Sequence, residues 1–135
     1  MAENIRLEVV TPEKAVVSDD AKIVVSPGSF GEFGVLAGHT PFLTTLKLGV
    51  IRYTDKDGKD RYVFVSEGFA EVLPEKVTVL AESAERRKDI DVERAKSSMD
   101  RAQKRIDAKD AGVDIVRAQL AIQRALHRIN LVSTR

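Results

Sequence analysis

The sequence contains no cysteine, which excludes disulfide bonds and thiolate metal sites. It has two histidines, His39 and His127, too few for an imidazole-based metal centre, so no metal ligands are expected. No apolar run approaches the roughly 18 residues that argue a membrane-spanning helix. The opening "MAENIRLEVV" lacks the basic and long apolar regions of a secretory leader. These absences favour a soluble protein inside the cell, one that meets a membrane only through a partner. No Ser/His/Asp or Cys/His set for nucleophilic catalysis stands out. The stretch "GSFGEFG" fails the G-x-G-x-x-G spacing and lies among β runs instead of before a helix. An independent enzyme is not expected.

Proline and glycine are absent unevenly. All four prolines precede residue 75, and Gly112 is the single glycine after residue 68. Residues 89–135 are instead rich in Ala, Arg, Asp and Ile. This shift divides the chain into a β-rich part, 1–88, and an α-rich part, 89–135. Charge divides with it. Residues 1–88 hold 12 Lys and Arg against 14 Asp and Glu, and residues 89–135 hold 10 against 7. From Ile115 to Arg135 there are four arginines and no carboxylate. Solvated helix faces usually mix signs, so this stretch points to an acidic partner or an anionic ligand.

Short alternating runs fill the first part: "IRLEVV", "KAVVSDD", "AKIVVS", "EFGVLAG", "KLGVIRYT", "RYVFVSEG", "FAEVL" and "KVTVLAES". Turn signals separate them, including Pro27-Gly28, Gly31, Gly38, Asp57-Gly58 and Gly68. The spacing predicts an antiparallel β-sandwich or barrel, with its plainest hairpin in "YTDKDGKDRY". Ile51, Tyr53, Tyr62, Phe64 and Ser66 are read as inward-facing. The second part has two helical seams. One is Val92, Ala95, Met99, Ala102 and Ile106; the other is Ile115, Ala118, Ile122, Ala125, Ile129 and Val132. Asp91 and Asp114 suit their N-caps. The short "AKDAGVD" connection makes an antiparallel helical hairpin folded about residue 111. Alanine seams bury little area, so the hairpin is expected to be marginal and able to open.

Arg94, Arg101 and Arg105 share one face of the first helix, and Arg117, Arg124 and Arg128 share one face of the second. At 100° per residue the stripes lie roughly 115° and 130° from their seams, in the same rotational sense. Antiparallel packing reverses that sense for one helix and brings both stripes to one side of the pair. Close guanidinium groups repel, by about 1 kcal/mol per pair at 4 Å in water. A polyphosphate among them would offset this through charge-assisted bonds. Opening the hairpin onto an acidic protein surface would do the same. The plainer alternative is a solvated face paired locally with Glu93, Asp100 and Asp107.

The chain as a whole resembles the epsilon subunit of the bacterial F-type ATP synthase, delta in mitochondrial naming. The residues that carry the likeness are "VVTPEK", "GEFGVLAGHTPFLTTL" at 31–46, "VSEGFAEVLPEKVTVLAESAE" at 65–85, and the helical tail. The resemblance implies an amino-terminal β-sandwich followed by two helices, which agrees with the independent reading. It implies a central-stalk rotor subunit, peripheral on the cytoplasmic side of the cell membrane. Its partners would be the gamma subunit, the c-ring and the alpha/beta catalytic head. In some members an I-D-x-x-R-A motif binds ATP, present here as Ile90-Asp91-Val92-Glu93-Arg94-Ala95. The other matching positions are Glu85, Arg101, Arg124 and Arg128. Ile90, Asp91 and Ala95 would shape the adenine end and the arginines would hold phosphates. ATP would thus be a regulatory ligand, with no obligatory cofactor. Glu32 falls on the loop that approaches the c-ring, His39 would lie near the gamma-facing side, and Arg117 would meet acidic residues of the head.

Two other functions compete. A free-standing ATP-sensing protein would bind ATP without a rotor partner. A nucleic-acid binder has the basic second helix in its favour, but a net charge of +1, no Trp and no aromatic interleaving in the basic part against it. No nucleic-acid partner is expected.

Overall fold

Alternation of β-branched residues with polar ones carries the first part of the chain into strands, and their apolar faces need a second layer to bury them. The computed structural model describes residues 4–109 and 112–134. The strands are β1 (Ile5–Val10), β2 (Ala15–Gly28), β3 (Gly31–Val35), β4 (Phe42–Leu46), β5 (Gly49–Asp55), β6 (Asp60–Val72) and β7 (Lys76–Arg86). They form a seven-stranded β-sandwich. Neighbours are antiparallel except β1 and β7, which pair in parallel from Arg6↔Lys76 to Val10↔Leu80. That parallel pair departs from the all-antiparallel expectation, and it lets the ladder close through β1 onto β2.

Two long strands replace what the sequence suggests are four short ones. "KAVVSDD" and "AKIVVS" belong to the single strand β2, and "RYVFVSEG" and "FAEVL" to β6. β2 carries one extra residue, where the register slips between Ala21 and Ile23. In β6 the register runs unbroken from Ser66↔Ser83 to Gly68↔Ala81, but Glu67 between them has a left-handed φ of 36°. The inward alternation changes parity across that residue, so Val63 and Val65 face the same core as Ala70 and Val72. Gly68 therefore lies within a continuous strand and not in a turn.

The same register corrects the inward set. Ile51 pairs with Val63 and Tyr53 with Arg61, which puts Tyr62, Phe64 and Ser66 on the opposite face of β6. Phe64 is buried there, outside the main cluster, and Tyr62 is half-buried with the Arg87 guanidinium 5.3 Å above its ring. The main core is Ile5, Leu7, Val9, Val17, Val24, Val35, Ile51, Tyr53 and their neighbours, nearly all with no exposed surface.

Polar side chains tie distant strands together at one place. Tyr53 donates its hydroxyl to Asp19, and Arg86 donates to both the Tyr53 oxygen and the Asp19 carboxylate at 3.3 Å. Arg86 Nε also donates to the Val16 carbonyl at 3.0 Å. At the β5–β6 turn the Asp55 carboxylate accepts from the backbone N–H groups of Lys59 and Asp57, both at 2.9 Å, and from Arg61 at 3.0 Å. The Lys59 N–H first, then the Arg61 guanidinium, holds the Asp55 carboxyl below its ordinary range.

After a 3₁₀ turn at Arg87–Asp89 come α1 (Val92–Ala108) and α2 (Ile115–Ser133), which pack on each other. The chain divides into units 1–87 and 88–135. Both helices start where the sequence places a carboxylate. Asp91 accepts from the Arg94 N–H at 3.0 Å and Asp114 from the Arg117 N–H at 3.1 Å. Lys109 ends α1 in the left-handed conformation. The expected folding point at residue 111 lies outside the described residues. The seam is Ala95 and Ala102 against Ala118 and Ala125, all buried. Ile115 is half exposed, so it drops out of the expected seam, and Leu131 is buried where Val132 is only partly so.

Candidate functional site

Helix rotation determines which side chains the two helices present together. The stripe arginines of α1 and α2 meet at a cleft of about 590 Å³ between the helices. Arg101 and Arg105 line it from α1, and Arg117 and Arg124 from α2, over a floor that includes Ala102 and Ala118. The small seam residues matter here: alanine lets the helices approach and leaves room beside them for long side chains. Arg94 and Arg128 share the stripes but are not among the lining residues. Rotation fixes the face of a helix and not the depth along its axis, and the cleft sits toward the inter-helix connection, where Gly112 and Asp114 border it.

The electrostatics of the cleft are one-sided. Among the described residues Asp114 is the single lining carboxylate, and its Oδ1 is engaged as the α2 cap. Two of the three local carboxylates that the plainer reading pairs with the stripe have other partners. Glu93 lies 3.9 Å from Lys96, and Asp107 accepts from Gln103 at 2.9 Å. Among the described residues no ion pair engages Arg101, Arg105, Arg117 or Arg124. Arg101 donates to the Ser98 hydroxyl at 3.4 Å. The arrangement can therefore offer several guanidinium forks to one multivalent oxyanion.

The remaining positions singled out in the sequence are dispersed. Ile90 is buried and Asp91 exposed just before α1; Arg94 is exposed and Ala95 buried in its first turn. Glu85 lies on β7 in the sandwich unit. Glu32 is exposed on β3, beside the two-residue turn Ser29–Phe30, and Phe30 is fully exposed. His39 follows β3, and its Nδ1 lies 2.6 Å from the Thr40 carbonyl. His127 contacts the Gln123 carbonyl at 2.8 Å, one helical turn back. Both imidazoles are thus engaged locally with backbone. Arg105 and Arg117 line the cleft although the nucleotide motif omits both, and their stripe spacing announces them.

A family model described as the beta-sandwich domain of the ATP synthase delta/epsilon chain matches residues 4–87. A second, the long alpha-helix domain of the same chain, matches residues 88–133. An ATP synthase epsilon chain from Desulforapulum autotrophicum is 61% identical over 135 residues, covering 100% of both chains. One from Nitratidesulfovibrio vulgaris is 51% identical over 131 residues, 97% of each. Among solved structures, a chain of the Euglena gracilis mitochondrial ATP synthase (OSCP/F1/c-ring) aligns with a TM-score of 0.77 at 22% identity. That alignment covers 93% of this chain and 79% of the other, and it shows a shared fold.

Proposed function

The chain belongs to the ATP synthase delta/epsilon family, and from that premise we propose how its two units divide the work. The sandwich is the anchor of a non-catalytic central-stalk subunit. It holds the gamma subunit and the c-ring and helps to couple ring rotation to ATP synthesis in the alpha/beta head. Glu32 and the exposed Phe30 form the c-ring-facing edge, and the His39 loop faces gamma. The subunit reaches the membrane through the ring, on the cytoplasmic side; among the described residues no helix is long and apolar enough to cross a bilayer. Covalent chemistry belongs to the head.

The helical unit is the regulator. Closed, it gathers a nucleotide site from Ile90, Asp91, Arg94, Ala95, Arg101, Arg124 and Arg128. Open, it extends into the head, where Arg117 and the other arginines of α2 meet acidic residues and block ATP hydrolysis. The observation that carries this reading is the cleft in which Arg101, Arg105, Arg117 and Arg124 converge with no ion pair among the described residues.

Magnitudes support a switch. Four buried alanine methyl groups contribute about 0.8 kcal/mol each, roughly 3 kcal/mol in all. Repulsion among guanidinium groups, about 1 kcal/mol for a pair at 4 Å in water, opposes closure. ATP at a hundredfold excess over its Kd adds about 2.7 kcal/mol to the closed state. The ligand and the seam are thus comparable, and occupancy decides the population. The test is ATP hydrolysis by the assembled enzyme carrying the chain truncated after residue 88. Hydrolysis rises several-fold on truncation; an unchanged rate would remove the inhibitory role.

A further inference from the structure

β7 has two partners along only part of its length. Among the described residues it pairs with β1 as far as Leu80 and with β6 as far as Arg86. Residues 81–86 are therefore laddered on one side alone, and a strand end of that kind frays more readily than one held on both sides. The helical unit begins directly after it, at Lys88. Any pull on that unit acts first on this end.

Two consecutive arginines hold the end from opposite faces of the sheet. Arg86 lies opposite Val63, on the core face, and reaches across to β2 and β5. Its Nε donates to the Val16 carbonyl at 3.0 Å, and its two Nη groups donate to the Tyr53 hydroxyl and the Asp19 carboxylate, both at 3.3 Å. Arg87 sits 5.3 Å above the ring of Tyr62, on the other face of β6. Beyond them Lys88 and Asp89 are exposed, and no ion pair engages either among the described residues. The chain is fixed again at Ile90 and Asp91. Asp91 caps α1, and the buried Ile90 and Ala95 hold the N′ and N4 positions of a hydrophobic staple.

We propose that Arg86 and Arg87 are a two-faced anchor that stops β7 from unzipping and confines the joint of the chain to Lys88 and Asp89. The helical unit then changes state without loosening the strands of the sandwich. Both arginines are positioning residues: they act on the end of β7. The inference rests on the reading of the helical unit as the moving part.

Amide hydrogen exchange of the full-length chain, followed residue by residue by NMR, tests it. In wild type, protection persists through Arg86 and is lost at Lys88 and Asp89. Arg86→Met removes every side-chain donor, and Tyr62→Leu removes the aromatic face while keeping an apolar side chain. Each variant speeds exchange at residues 81–86 about tenfold and leaves Val77 and Val79, laddered to both β1 and β6, within about twofold. Asp19→Asn, which removes the negative charge that Arg86 meets, carries the same expectation and replaces Arg86→Met should that variant not fold. Equal acceleration at Val77 and Val79 overturns the proposal, because it marks a general loss of stability. So does unchanged exchange at residues 81–86 in either variant, or protection at Lys88 and Asp89 equal to that at Arg86 in wild type. If exchange follows the expected pattern while truncation after residue 88 leaves hydrolysis unchanged, the inhibitory role falls and the anchor stands.

Discussion

Tyr53 shows how one residue's chemistry depends on partners far along the chain. Its ring is fully buried, and burial first, then the hydrogen bond to Asp19, pushes its pKa from 10.0 up to about 12, against the pull of Arg86. The folded state thus keeps a proton that the unfolded chain loses near pH 10. The stability this provides is complete below pH 10 and disappears as pH rises to about 12. Absorbance titration of tyrosinate should show a step near that value that Tyr53→Phe removes. The same substitution should lower stability at neutral pH by about 1 kcal/mol, the usual size of a hydrogen bond's contribution. None of this was legible in the sequence, because Asp19 and Arg86 stand 34 and 33 residues from Tyr53. Asp91 and Asp114, by contrast, act on backbone three residues ahead, and local spacing was enough to find them.

At the scale of elements, period-two alternation found the strands but misjudged their ends. A bulge in β2 and the left-handed Glu67 in β6 break the alternation in sequence while the backbone continues, so each strand reads as two runs. Phe64 is buried as the sequence suggests, but it and Tyr62 lie on the face opposite the main core, because the face of a strand is fixed by its register with a partner, and that register is non-local. Gly68 makes a specific prediction. A Cβ there would collide with the Leu80 carbonyl oxygen and stand 2.8 Å from the Ala81 Cα, both backbone groups of β7. Gly68→Ala should therefore cost more than about 2 kcal/mol in chemical denaturation, in the class of strain and overpacking effects. A cost below about 0.5 kcal/mol, typical of neutral surface changes, would mean that β7 yields there. The helices were easier to read, since 3.6-residue periodicity and caps are local. Rotation alone placed both arginine stripes on one side of the pair, and the structure brings Arg101, Arg105, Arg117 and Arg124 together there. Their position along the axis was not legible, because it depends on where the connection folds.

At the scale of the whole molecule, the loss of proline and glycine after the sandwich already marked two parts with different physics. A densely hydrogen-bonded β unit with a large aliphatic core makes a rigid anchor. A two-helix unit held by an alanine seam and loaded with like charge makes an element whose state is open to influence. The likeness along the full length explains why the family was recognisable from sequence, and the cleft explains how an anion would bias the moving part. The central claim is that closing the hairpin builds a site for ATP phosphates. Calorimetric titration of ATP into the isolated chain, beside Arg94→Ala and Arg124→Ala, tests it most directly. The account predicts saturable binding to wild type and its loss in both variants. Absence of binding to wild type at millimolar ATP, or affinity unchanged in both variants, would contradict it.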